Sequence, residues 1–489
     1  MLTRLRVKGF KNLVDVDVRF DQFTCIAGPN GAGKSNLFDA ITFLGDLASM
    51  PIMKAAGRAR GTNGRISDFQ NLFFKDAKGA FLPMLFVAEM IVPSSVTDDF
   101  DRPANPTATY LEYTLELKLG ATHADPSPDA LIYIEHEGLR AINSTDAPKS
   151  LGFTKSPAWM KKYIFGPGAR NTPFISTQTT DTPSQPAIRL FSDQTKKGGP
   201  PFLVPARKSP QTVLSGANSA THPTALAAQR ELRSWRLLQL EPSALRKSDT
   251  FRDDPHITSI GEHLPAALMR LDKYAEVSLS LSGLLPDIIS ISVDANEQHD
   301  VKTVLLTMKD KQTYTASSLS DGTLRFMALA VLALDQEFGG LLCMEEPENG
   351  IHPSRIPQML SLVRSLSEEL ESGEDESTAS TIRQVIINTH SPLVVGELLD
   401  DELLFAETLY LKAKALVNYK PLQRTWRQAA SGAKNEELIT KGEIAFFLSG
   451  CGHSIEDPTP EKRVKRLAKP NHSTARDPST PDLFPPHTA

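Results

Sequence analysis

A glycine-rich stretch near the start of the 489-residue chain has the residue types that hold phosphate. It reads Gly28, Pro29, Asn30, Gly31, Ala32, Gly33, Lys34, Ser35 and Asn36. Glycines at this spacing let successive backbone N–H groups converge on phosphate oxygens, beside the dipole of a following helix. In the same pattern the lysine bridges the β- and γ-phosphates, and the serine hydroxyl ligates Mg²⁺. The stretch therefore predicts a nucleoside triphosphate site.

Two carboxylates come directly after an apolar run that is typical of a buried strand. The run covers residues 341–344, and the carboxylates are Glu345 and Glu346. At a strand end, the first acid could hold Mg²⁺ through water while the second polarises the water that attacks the phosphate. For two acids alone, a solvated turn is an equally good explanation. The residues that follow, PENGIHP, predict a rigid loop and make the combination far more specific.

Two further motifs stand on either side of the acidic pair. Ser320, Asp321 and Gly322 precede a predicted helix, and hydroxyls with free N–H groups at a helix N-terminus suit an anion. An ordinary helix cap is the alternative explanation. His390 ends an apolar run over 384–388, where an isolated histidine would more often be structural. Because the motifs occur together and in this order, we interpret both as parts of the phosphate site.

Hydrophobic patterning predicts the elements that must position these motifs. A strand-like run, Phe23–Ala27, enters the glycine-rich stretch, and a helix with Leu37, Ile41 and Leu44 on one face follows it. Further strands are predicted at 81–92, 111–119, 131–136, 287–293, 302–308, 341–345 and 384–388, and helices at 224–240, 261–274, 323–335 and 354–371. The order of strand, loop and helix is the context that a phosphate loop requires.

The composition is that of a globular chain without an overall attraction to nucleic acid. Hydrophobic residues make up 40% of the chain and the net charge is −5, so any contact with DNA would have to be local. The basic candidates are the stretch 54–65 and the residues Arg230, Arg233 and Arg236. A solvated face explains both of them equally simply.

Cysteine usage and hydropathy indicate a cytoplasmic protein that does not enter a membrane. Cys25, Cys343 and Cys451 lack the spacing of a metal site or of a disulfide framework. The longest apolar run, Phe326–Leu334, is much shorter than the roughly 20 residues that cross a bilayer. The N-terminal sequence, MLTRLRVKGF, has no apolar core of the secretory kind.

With the four motifs in this order, the chain resembles the ABC-type ATPase heads of the RecF, SMC and OLD-like families. LSDGT stands where those proteins have an LSGGQ-like signature, EEPENGIHP resembles the OLD-like acidic loop, and THSP resembles their switch histidine. The stretches GFKNL, GPNGAGKSN, ELRSWRLLQLEP and HLPAALMRL are similar to the ATPase branch found in bacterial anti-phage systems. The resemblance covers residues 1–450 and is most specific in 1–48 and 315–395.

The resemblance implies an α/β fold. The expected fold is a P-loop ATPase head with a mixed central sheet, an N-terminal antiparallel β subdomain and an inserted β and helical lobe, without a long coiled coil. The expected division is 1–80 for the N-terminal part of the head, 81–285 for the inserted lobe, 286–425 for the C-terminal part of the head, 426–452 for a small helical extension and 453–489 for a disordered tail.

The resemblance also implies a role for each residue around the phosphates, with ATP and Mg²⁺ as cofactors. Lys34 and Ser35 would hold phosphate and Mg²⁺, Glu345 would be the metal-side acid, and Glu346 would be the catalytic general base. Glu345 departs from the aspartate that is more usual in transporters and SMC heads. Gln70 is the one candidate for the Q-loop glutamine, which would be a further metal ligand.

The remaining motif residues imply an assembly of more than one chain. Ser320, Asp321 and Gly322 would reach the ATP of a second subunit, and His390 would read its γ-phosphate as a further catalytic residue. Two ATP molecules would then be enclosed in a head-to-head dimer or a higher oligomer.

The resemblance points to a separate effector protein as partner. A fused Toprim nuclease would need a D-x-D motif, which the sequence after His390 does not contain. The leading hypothesis is therefore an ATPase sensor or regulatory subunit of a bacterial anti-phage complex, with a separate Toprim or HNH nuclease. DNA and tRNA are candidate ligands, and no membrane is involved. The alternative is a RecF-like DNA-binding ATPase of repair or recombination. A transporter subunit is disfavoured because the inserted lobe is too large.

Overall fold

The computed structural model describes residues 1–62, 66–120, 132–166, 172–178, 186–193, 200–285, 287–367, 382–411, 414–434 and 437–449. The predicted tail and Cys451 lie outside these residues. The strands are β1 (Leu2–Phe10), β2 (Leu13–Arg19), β3 (Phe23–Ala27), β4 (Met84–Ile91), β5 (Val96–Thr97), β6 (Pro103–Ala104), β7 (Tyr110–Leu119), β8 (Ile132–Ala141), β9 (Ile175–Gln178), β10 (Ala187–Leu190), β11 (Phe202–Pro205), β12 (Arg236–Leu238), β13 (Ile288–Asn296), β14 (Val301–Met308), β15 (Thr313–Thr315), β16 (Leu341–Glu345), β17 (Gln384–Thr389), β18 (Leu403–Leu411) and β19 (Lys414–Pro421).

The helices are α1 (Lys34–Leu47), α2 (Ile52–Arg58), α3 (Ile66–Phe69), α4 (Ala147–Leu151), α5 (Pro157–Tyr163), α6 (Pro223–Arg233), α7 (Pro242–Leu245), α8 (Leu264–Leu271), α9 (Tyr274–Leu284), α10 (Asp321–Leu334), α11 (Ile356–Ser365), α12 (Pro392–Glu397), α13 (Trp426–Ser431) and α14 (Lys441–Leu448). Within the described residues, α1 and α10 are the longest helices, at 14 residues each. A search of the same residues finds no helix with the length and apolar character needed to cross a membrane.

The larger sheet consists of eight antiparallel strands in the order β11-β10-β9-β8-β7-β4-β1-β2. Alternation along β1 explains its orientation, because Leu5 and Val7 are fully buried while Arg4 and Arg6 lie on the opposite face. On that face Arg6 pairs with Glu112 of β7 at 3.1 Å. The apolar face shares one hydrophobic core with α1 and α6. The predicted boundary between residues 80 and 81 falls between strands of this single sheet, and the domain division stays a prediction.

The smaller, six-stranded sheet has the order β12-β16-β17-β3-β18-β19. Its first five strands are parallel, and β19 returns antiparallel to β18. The strands β3 and β17 are buried along their whole length, as expected for strands covered on both faces. In register, Glu345 pairs with Asn388 and Thr389 pairs with Ala27, so three strand ends meet at one edge. This mixed sheet, together with the antiparallel one, confirms the predicted α/β fold.

The six-stranded sheet separates two hydrophobic cores. Along β3, Ile26 belongs to the core of the larger sheet, whereas Cys25 and Ala27 belong to a second core. Helices α8 to α12 and the three-stranded sheet β13-β14-β15 contribute to this second core. Cys25 and Cys343 are both buried free thiols, as their apolar surroundings predict.

The helix predicted at 224–240 is wrong in its second half. Helix α6 ends at Arg233, where the hydroxyl of Ser234 donates to the carbonyl of Glu231 at 2.6 Å. The residues beyond form β12, which pairs in parallel with β16. Apolar residues at every third position fit a helix, but pairing with the edge of a sheet overrides that local pattern.

Two more predicted helices differ from the structure in extent. The helix predicted at 261–274 is found as the shorter α8, because the chain turns at Asp272, which has a φ of 51°, and α9 begins only at the last predicted residue, Tyr274. The helix predicted at 354–371 is found as α11, and the predicted end of it lies outside the described residues. The hairpin of β18 and β19 is absent from the predicted elements.

The buried side chain of Arg427 joins the C-terminal segment to the centre of the smaller sheet. Its guanidinium donates to the hydroxyl of Thr24 at 2.8 Å and to the carbonyl oxygens of Arg19 at 3.0 Å and Leu403 at 3.4 Å. Burial lowers the pKa of Arg427 to about 10, so the group is still charged at neutral pH. A charge in this position is stable only because several acceptors surround it.

Replacing Arg427 with Met should lower the free energy of unfolding by about 2–4 kcal/mol, since buried acceptors would lose their donors. Urea denaturation followed by circular dichroism measures this change. Arg424→Met is the matched control, because Arg424 is exposed, and a change of less than about 0.5 kcal/mol is expected for it. Equal effects of the two substitutions would contradict the assignment.

A second buried ionisable group, Glu137 on β8, binds the backbone of a turn at Val213 and Leu214. Its carboxylate accepts hydrogen bonds from the N–H groups of Val213 and Leu214 at 2.8 and 2.9 Å and from the hydroxyl of Tyr113 at 3.2 Å. Burial raises the pKa of Glu137 from 4.5 to about 7, and the three donors offset only part of this effect. The protonated form is therefore favoured in the folded state.

The free energy of unfolding should therefore fall as the pH rises from 4.5 to about 7. The folded state binds this proton more tightly than the unfolded state, so the stabilisation is complete below pH 4.5 and is lost above the folded pKa. Urea denaturation of the protein and of Glu137→Gln at both ends of this range measures the difference. The variant should lack this component, and an unchanged pH dependence would show that Glu137 is not its source.

Candidate active site

The phosphate loop joins β3 to α1, and its shape depends on three glycines. Gly31 and Gly33 have φ values of 78° and 92°, which other residues rarely adopt. At Gly28 the constraint is contact, because a Cβ atom would lie 2.4 Å from the carbonyl oxygen of Ala406 on β18. A Cβ atom on Gly33 would also lie 2.8 Å from Nδ2 of Asn12. The glycine pattern of the sequence is therefore required by the geometry of the loop.

The N-terminus of α1 offers hydrogen-bond donors and a cation to an anion. Gly33 is the N-cap residue of this helix and makes no side-chain hydrogen bond to its first turn. The Nζ atom of Lys34 donates to the carbonyl oxygens of Gly28 at 2.6 Å and Pro29 at 2.9 Å. Burial lowers the pKa of Lys34, and the charge of Glu346 offsets part of that effect. The ammonium group therefore lies directly against the loop that it is predicted to serve.

Glu345 ends β16 and is held by residues from distant parts of the chain. Arg60 donates to both carboxylate oxygens at 2.8 and 2.9 Å and to Asp39 at 2.6 Å, and Gln239 donates to Glu345 at 2.9 Å. Burial alone would raise the pKa of Glu345, but hydrogen bonds from Arg60, Ser35 and Gln239 and the charge of Arg60 outweigh it, and the pKa is lowered. Glu345 is thus a carboxylate next to the hydroxyl that is predicted to share Mg²⁺ with it.

Glu346 is held in a backbone conformation that is unusual for a residue with a side chain. Its φ is 45°, and its N–H donates to the carbonyl and side-chain oxygens of Asn388 at 3.1 and 3.0 Å. One carboxylate oxygen lies 2.7 Å from Nδ1 of His390, and the other accepts from Nδ2 of Asn349 at 2.8 Å. Strain of this kind persists where surrounding contacts fix it, and it is common at functional sites.

Glu348, which the sequence analysis did not single out, supports the turn that carries His390. It is buried, and its carboxylate accepts a hydrogen bond from the hydroxyl of Thr389. The same hydroxyl oxygen accepts from the N–H of Ser391 at 2.9 Å. Burial raises the pKa of Glu348. In the sequence, Glu348 is the third acid of the EEPE stretch. A solvated turn does not require a third acid, so this residue could have been recognised.

A cavity of about 450 Å³ lies between the phosphate loop and the strand ends. It is lined by Asn30, Gly31, Ala32, Gly33, Lys34, Ser35, Asn36, Glu345, Glu346, Asn349 and Asn388. The structure thus brings the predicted loop and the predicted acidic pair together from opposite ends of the sequence. A set of backbone donors, an ammonium group, a hydroxyl and two carboxylates fits a triphosphate with Mg²⁺.

A second cavity, of about 690 Å³, adjoins the first and shares Ser35 and Asn36 with it. Its lining includes the basic residue Lys11 and the aromatic residues Phe73 and Phe74. Phe73 is buried in the hydrophobic core, so Phe74 is the aromatic residue of these two that could contact a nucleobase, and basic groups suit the polar remainder of a nucleotide. The two cavities together extend well beyond the volume around the phosphate loop alone.

The signature residues lie at the N-terminus of α10. Ser320 caps the helix by accepting from the N–H of Thr323 at 3.2 Å, and Asp321 pairs with Arg246 at 2.6 Å. Ser320, Asp321 and Gly322 are not among the described residues that line the phosphate cavity. The signature residues therefore do not form part of the phosphate cavity of their own chain.

The position of Gln70 does not support its prediction as a metal ligand. Gln70 lines a separate cavity of about 370 Å³ with Phe81 and Pro83, beside the larger sheet. Gln239 is the glutamine that contacts Glu345, because it directly follows β12, the strand that runs parallel to β16. In the sequence, Gln239 directly follows Leu237 and Leu238, but the helix predicted over 224–240 did not indicate that these residues form a strand.

One other group of metal-ligating side chains occurs in the described residues. Ligand atoms of Asp249, Asp253 and His263 lie within 4.8 Å of one another. However, Asp249 accepts from the N–H of Ala266 at 2.9 Å and lies 3.1 Å from Nδ1 of His263, while Asp253 accepts from the N–H of Thr250 at 2.5 Å. These bonds describe a helix cap and a turn, and they account for the cluster without an ion.

Two family models match the segments that supply the site. Residues 1–58, with the phosphate loop, match the RecF/RecN/SMC N-terminal domain. Residues 184–396, with the signature, the acidic pair and His390, match a family described as "AAA domain, putative AbiEii toxin, Type IV TA system". The chain has an ABC-type ATPase head of the RecF, SMC and OLD-like kind. The resemblance inferred from the motifs is confirmed.

Curated relatives match this ATPase head over short segments. Structural maintenance of chromosomes protein 1 of Schizosaccharomyces pombe is 38% identical over 78 residues, which are 16% of this chain and 6% of that protein. The OLD nuclease of Thermus scotoductus is 50% identical over 48 residues, which are 10% of this chain and 9% of that protein. The chain thus spans less than a tenth of the length of either relative.

Solved structures of SMC heads are similar to the chain at low identity. A Pyrococcus furiosus Smc head domain with an extended coiled coil, bound to the C-terminal domain of ScpA, is 12% identical. The comparison covers 86% of this chain and 96% of that one, with a TM-score of 0.42. The SMC head domain from Thermotoga maritima is also 12% identical, with 86% and 99% covered and a TM-score of 0.34.

Replacing Gly28 with Ala should abolish nucleotide binding, because the new methyl group would collide with the backbone of β18 and displace the loop. Titration with a fluorescent ATP analogue measures binding, and thermal melting measures stability. Gly396→Ala is the matched control, since a Cβ atom at this position on α12 meets nothing within 4 Å. Binding that survives Gly28→Ala would show that the loop does not form the phosphate site.

Proposed function

We propose that the ATPase head binds Mg²⁺–ATP in the phosphate cavity and hydrolyses it. The observation that carries the proposal is the convergence of Lys34, Ser35, Glu345 and Glu346 on one cavity at the edge of the parallel strands. Ligands of open α/β sheets bind at the carboxyl ends of the strands, which is where this cavity lies.

The residues around the loop have distinct roles in this proposal. Backbone N–H groups of the loop and the ammonium group of Lys34 bind the phosphates, while Ser35 and Glu345 hold Mg²⁺. Bound Mg²⁺ would supply positive charge against the phosphate oxygens. Arg60 and Gln239 keep the Glu345 carboxylate oriented and ionised, which is the form that a metal ligand must have.

Glu346 is the general base of the proposed reaction. One of its oxygens takes a proton from water as the water oxygen attacks the γ-phosphorus, and the bond to the β-phosphate oxygen breaks. His390 and Asn349 hold the two carboxylate oxygens at 2.7 and 2.8 Å. Fixing both oxygens orients the base, since a misplaced proton acceptor loses most of its effect.

A head-to-head dimer around two ATP molecules is part of the proposal. Ser320, Asp321 and Gly322 stand at the N-terminus of a 14-residue helix, where backbone donors and the helix dipole suit phosphate. They do not line the phosphate cavity of their own chain. The phosphate site that they can complete is therefore the one in a second copy of the chain. The adjoining cavity, with Phe74 in its lining, would hold the base and ribose.

The proposed setting is a sensor or regulatory subunit of an anti-phage complex with a separate effector. The description of the matched family names a toxin of a type IV system, and an OLD nuclease is 50% identical over a segment of 48 residues. A Toprim or HNH nuclease, encoded separately, is the proposed kind of effector. ATP-dependent closure of the dimer would bias the effector between two states.

The alternative, a RecF-like DNA-binding ATPase, has less support from the arginines that suggested it. Arg230 pairs with Asp99 at 2.5 Å, and Arg236 lies on β12, with its guanidinium 6.0 Å from the ring centre of Phe338. The three arginines therefore do not form one face of a helix. DNA binding remains an outcome that the experiments below would detect.

Replacing Glu346 with Gln should lower the rate of ATP hydrolysis roughly 100-fold or more while ATP binding is retained, because the amide cannot accept the proton. Phosphate release measures the rate, and light scattering with chromatography measures the ATP-dependent dimer, which should persist longer in the variant. Glu276→Gln, at an exposed position of α9, is the control and should behave as the unmodified protein. Unchanged hydrolysis in Glu346→Gln would remove Glu346 as the general base.

The proposed partner can be tested with the same variant. Tagged Glu346→Gln protein, purified from its host in Mg²⁺–ATP, should retain a weakly bound effector for mass spectrometry. Stoichiometric recovery of a nuclease or toxin supports the regulatory role. Recovery with DNA and recombination proteins, together with salt-dependent DNA affinity, would favour the RecF-like alternative.

A further inference from the structure

The signature helix rests directly on the loop that carries the general base. Nη1 of Arg325, on the second turn of α10, donates a hydrogen bond to the carbonyl oxygen of Asn349. Beside this bond, Gly322 packs against the same loop, and a Cβ atom on it would lie 3.4 Å from the carbonyl oxygen of Gly350. Two independent contacts therefore connect the first turns of α10 with residues 349–350.

From Asn349 the contacts continue to the general base. The side chain of Asn349 donates to one carboxylate oxygen of Glu346 at 2.8 Å, and its N–H donates to the carbonyl oxygen of Glu346 at 3.0 Å. The other carboxylate oxygen lies 2.7 Å from His390. Arg325, Asn349, Glu346 and His390 thus form one continuous series of polar contacts.

The other end of this series is the signature itself. The hydroxyl and N–H of Thr323 both contact the hydroxyl of Ser320, at 2.8 and 3.2 Å, and Asp321 is held by Arg246. Ser320 and Arg325 are separated by little more than one turn of a regular helix. A displacement of the signature therefore moves Arg325 with it, because both residues belong to the same continuous, hydrogen-bonded helix.

The environment of Arg325 is unusual for a purely structural contact. Its Nε is buried and has no hydrogen-bond partner among the described residues. Leaving a buried donor without an acceptor is destabilising. A side chain kept in such a position generally has a function besides stability, or acquires a partner in another state of the protein.

We infer that Arg325 is a positioning residue that couples the signature of a head to the general base of the same head. When Ser320 to Gly322 engage the nucleotide of the second copy, Arg325 sets the position of Asn349 and, through it, of Glu346. Each head then hydrolyses its own ATP efficiently only when its signature is engaged, so the two sites act cooperatively. This inference rests on the proposed ATPase dimer.

Mixed dimers separate this coupling from a direct effect of the signature on the partner's ATP. In a dimer of one Glu346→Gln head and one head with an intact general base, hydrolysis occurs only in the second head. Arg325→Met in the intact head should lower its rate roughly 5- to 30-fold, whereas Arg325→Met in the Glu346→Gln head should leave the rate unchanged. An excess of the Glu346→Gln head keeps intact homodimers rare.

Homodimers provide the second readout. Arg325→Met should reduce a Hill coefficient above 1 for ATP to 1, while the affinity for a fluorescent ATP analogue changes less than about 2-fold because Arg325 does not line the phosphate cavity. Arg325→Lys retains one donor for Asn349 and should recover most of the rate. Arg233→Met, at an exposed position of α6, is the matched control, and thermal melting identifies any variant that fails to fold.

The outcomes distinguish the inference from the function on which it rests. If the unmodified protein neither binds nor hydrolyses ATP, the proposed function fails, and if Glu346→Gln hydrolyses ATP normally, the assignment of Glu346 as the general base fails. If Glu346→Gln is inactive but Arg325→Met in the intact head leaves the rate and the Hill coefficient unchanged, only the coupling is overturned. A loss of rate from Arg325→Met in the Glu346→Gln head would also overturn it, because Arg325 would then act on the nucleotide across the dimer.

Discussion

Repulsion among three carboxylates in a small volume is the constraint on which the site depends. Glu345, Glu346 and Glu348 follow one another at a single strand end, and each is partly or fully removed from water. Each carboxylate is stabilised by different hydrogen-bonding partners: an arginine and a glutamine for Glu345, a histidine and an asparagine for Glu346, and a threonine for Glu348. The partners come from all parts of the chain, so the charges can be accommodated only when the whole head has assembled.

The sheet order supplies those partners. The N-terminal strand β3 lies between β17 and β18 from the C-terminal half, and β12 from the middle of the chain pairs with β16. The phosphate loop, Gln239, the acidic pair and His390 each follow one of four parallel strands, and parallel strands place such residues at a common edge. Lys34 and Glu346 therefore meet because of topology and not because of any local feature of either segment.

The sequence was sufficient for the motifs and for the fold class, and insufficient for the contacts between them. Motif chemistry is local: a glycine at positive φ or an acid after an apolar run can be recognised from its neighbours alone. Gln239 could not be recognised in this way, because its role depends on its position after β12. The spacing of the apolar residues in that segment predicts a helix instead of a strand. Arg60 was one of several basic residues, and only the fold shows that it pairs with Glu345. Glu137 and Arg427 likewise affect the stability of the fold only because tertiary packing buries them.

The central position of β3 has a consequence for how the chain is made. Both neighbours of this strand, β17 and β18, emerge from the ribosome only after several hundred further residues have been synthesised. At about 5–20 residues per second, the interval is on the order of tens of seconds. During that time the larger sheet can assemble from contacts within the first half, whereas Phe23–Ala27 is an apolar segment with both backbone edges open. The nascent chain therefore has a period in which chaperones, or the wrong strand from a neighbouring chain, compete for the place that β17 will take.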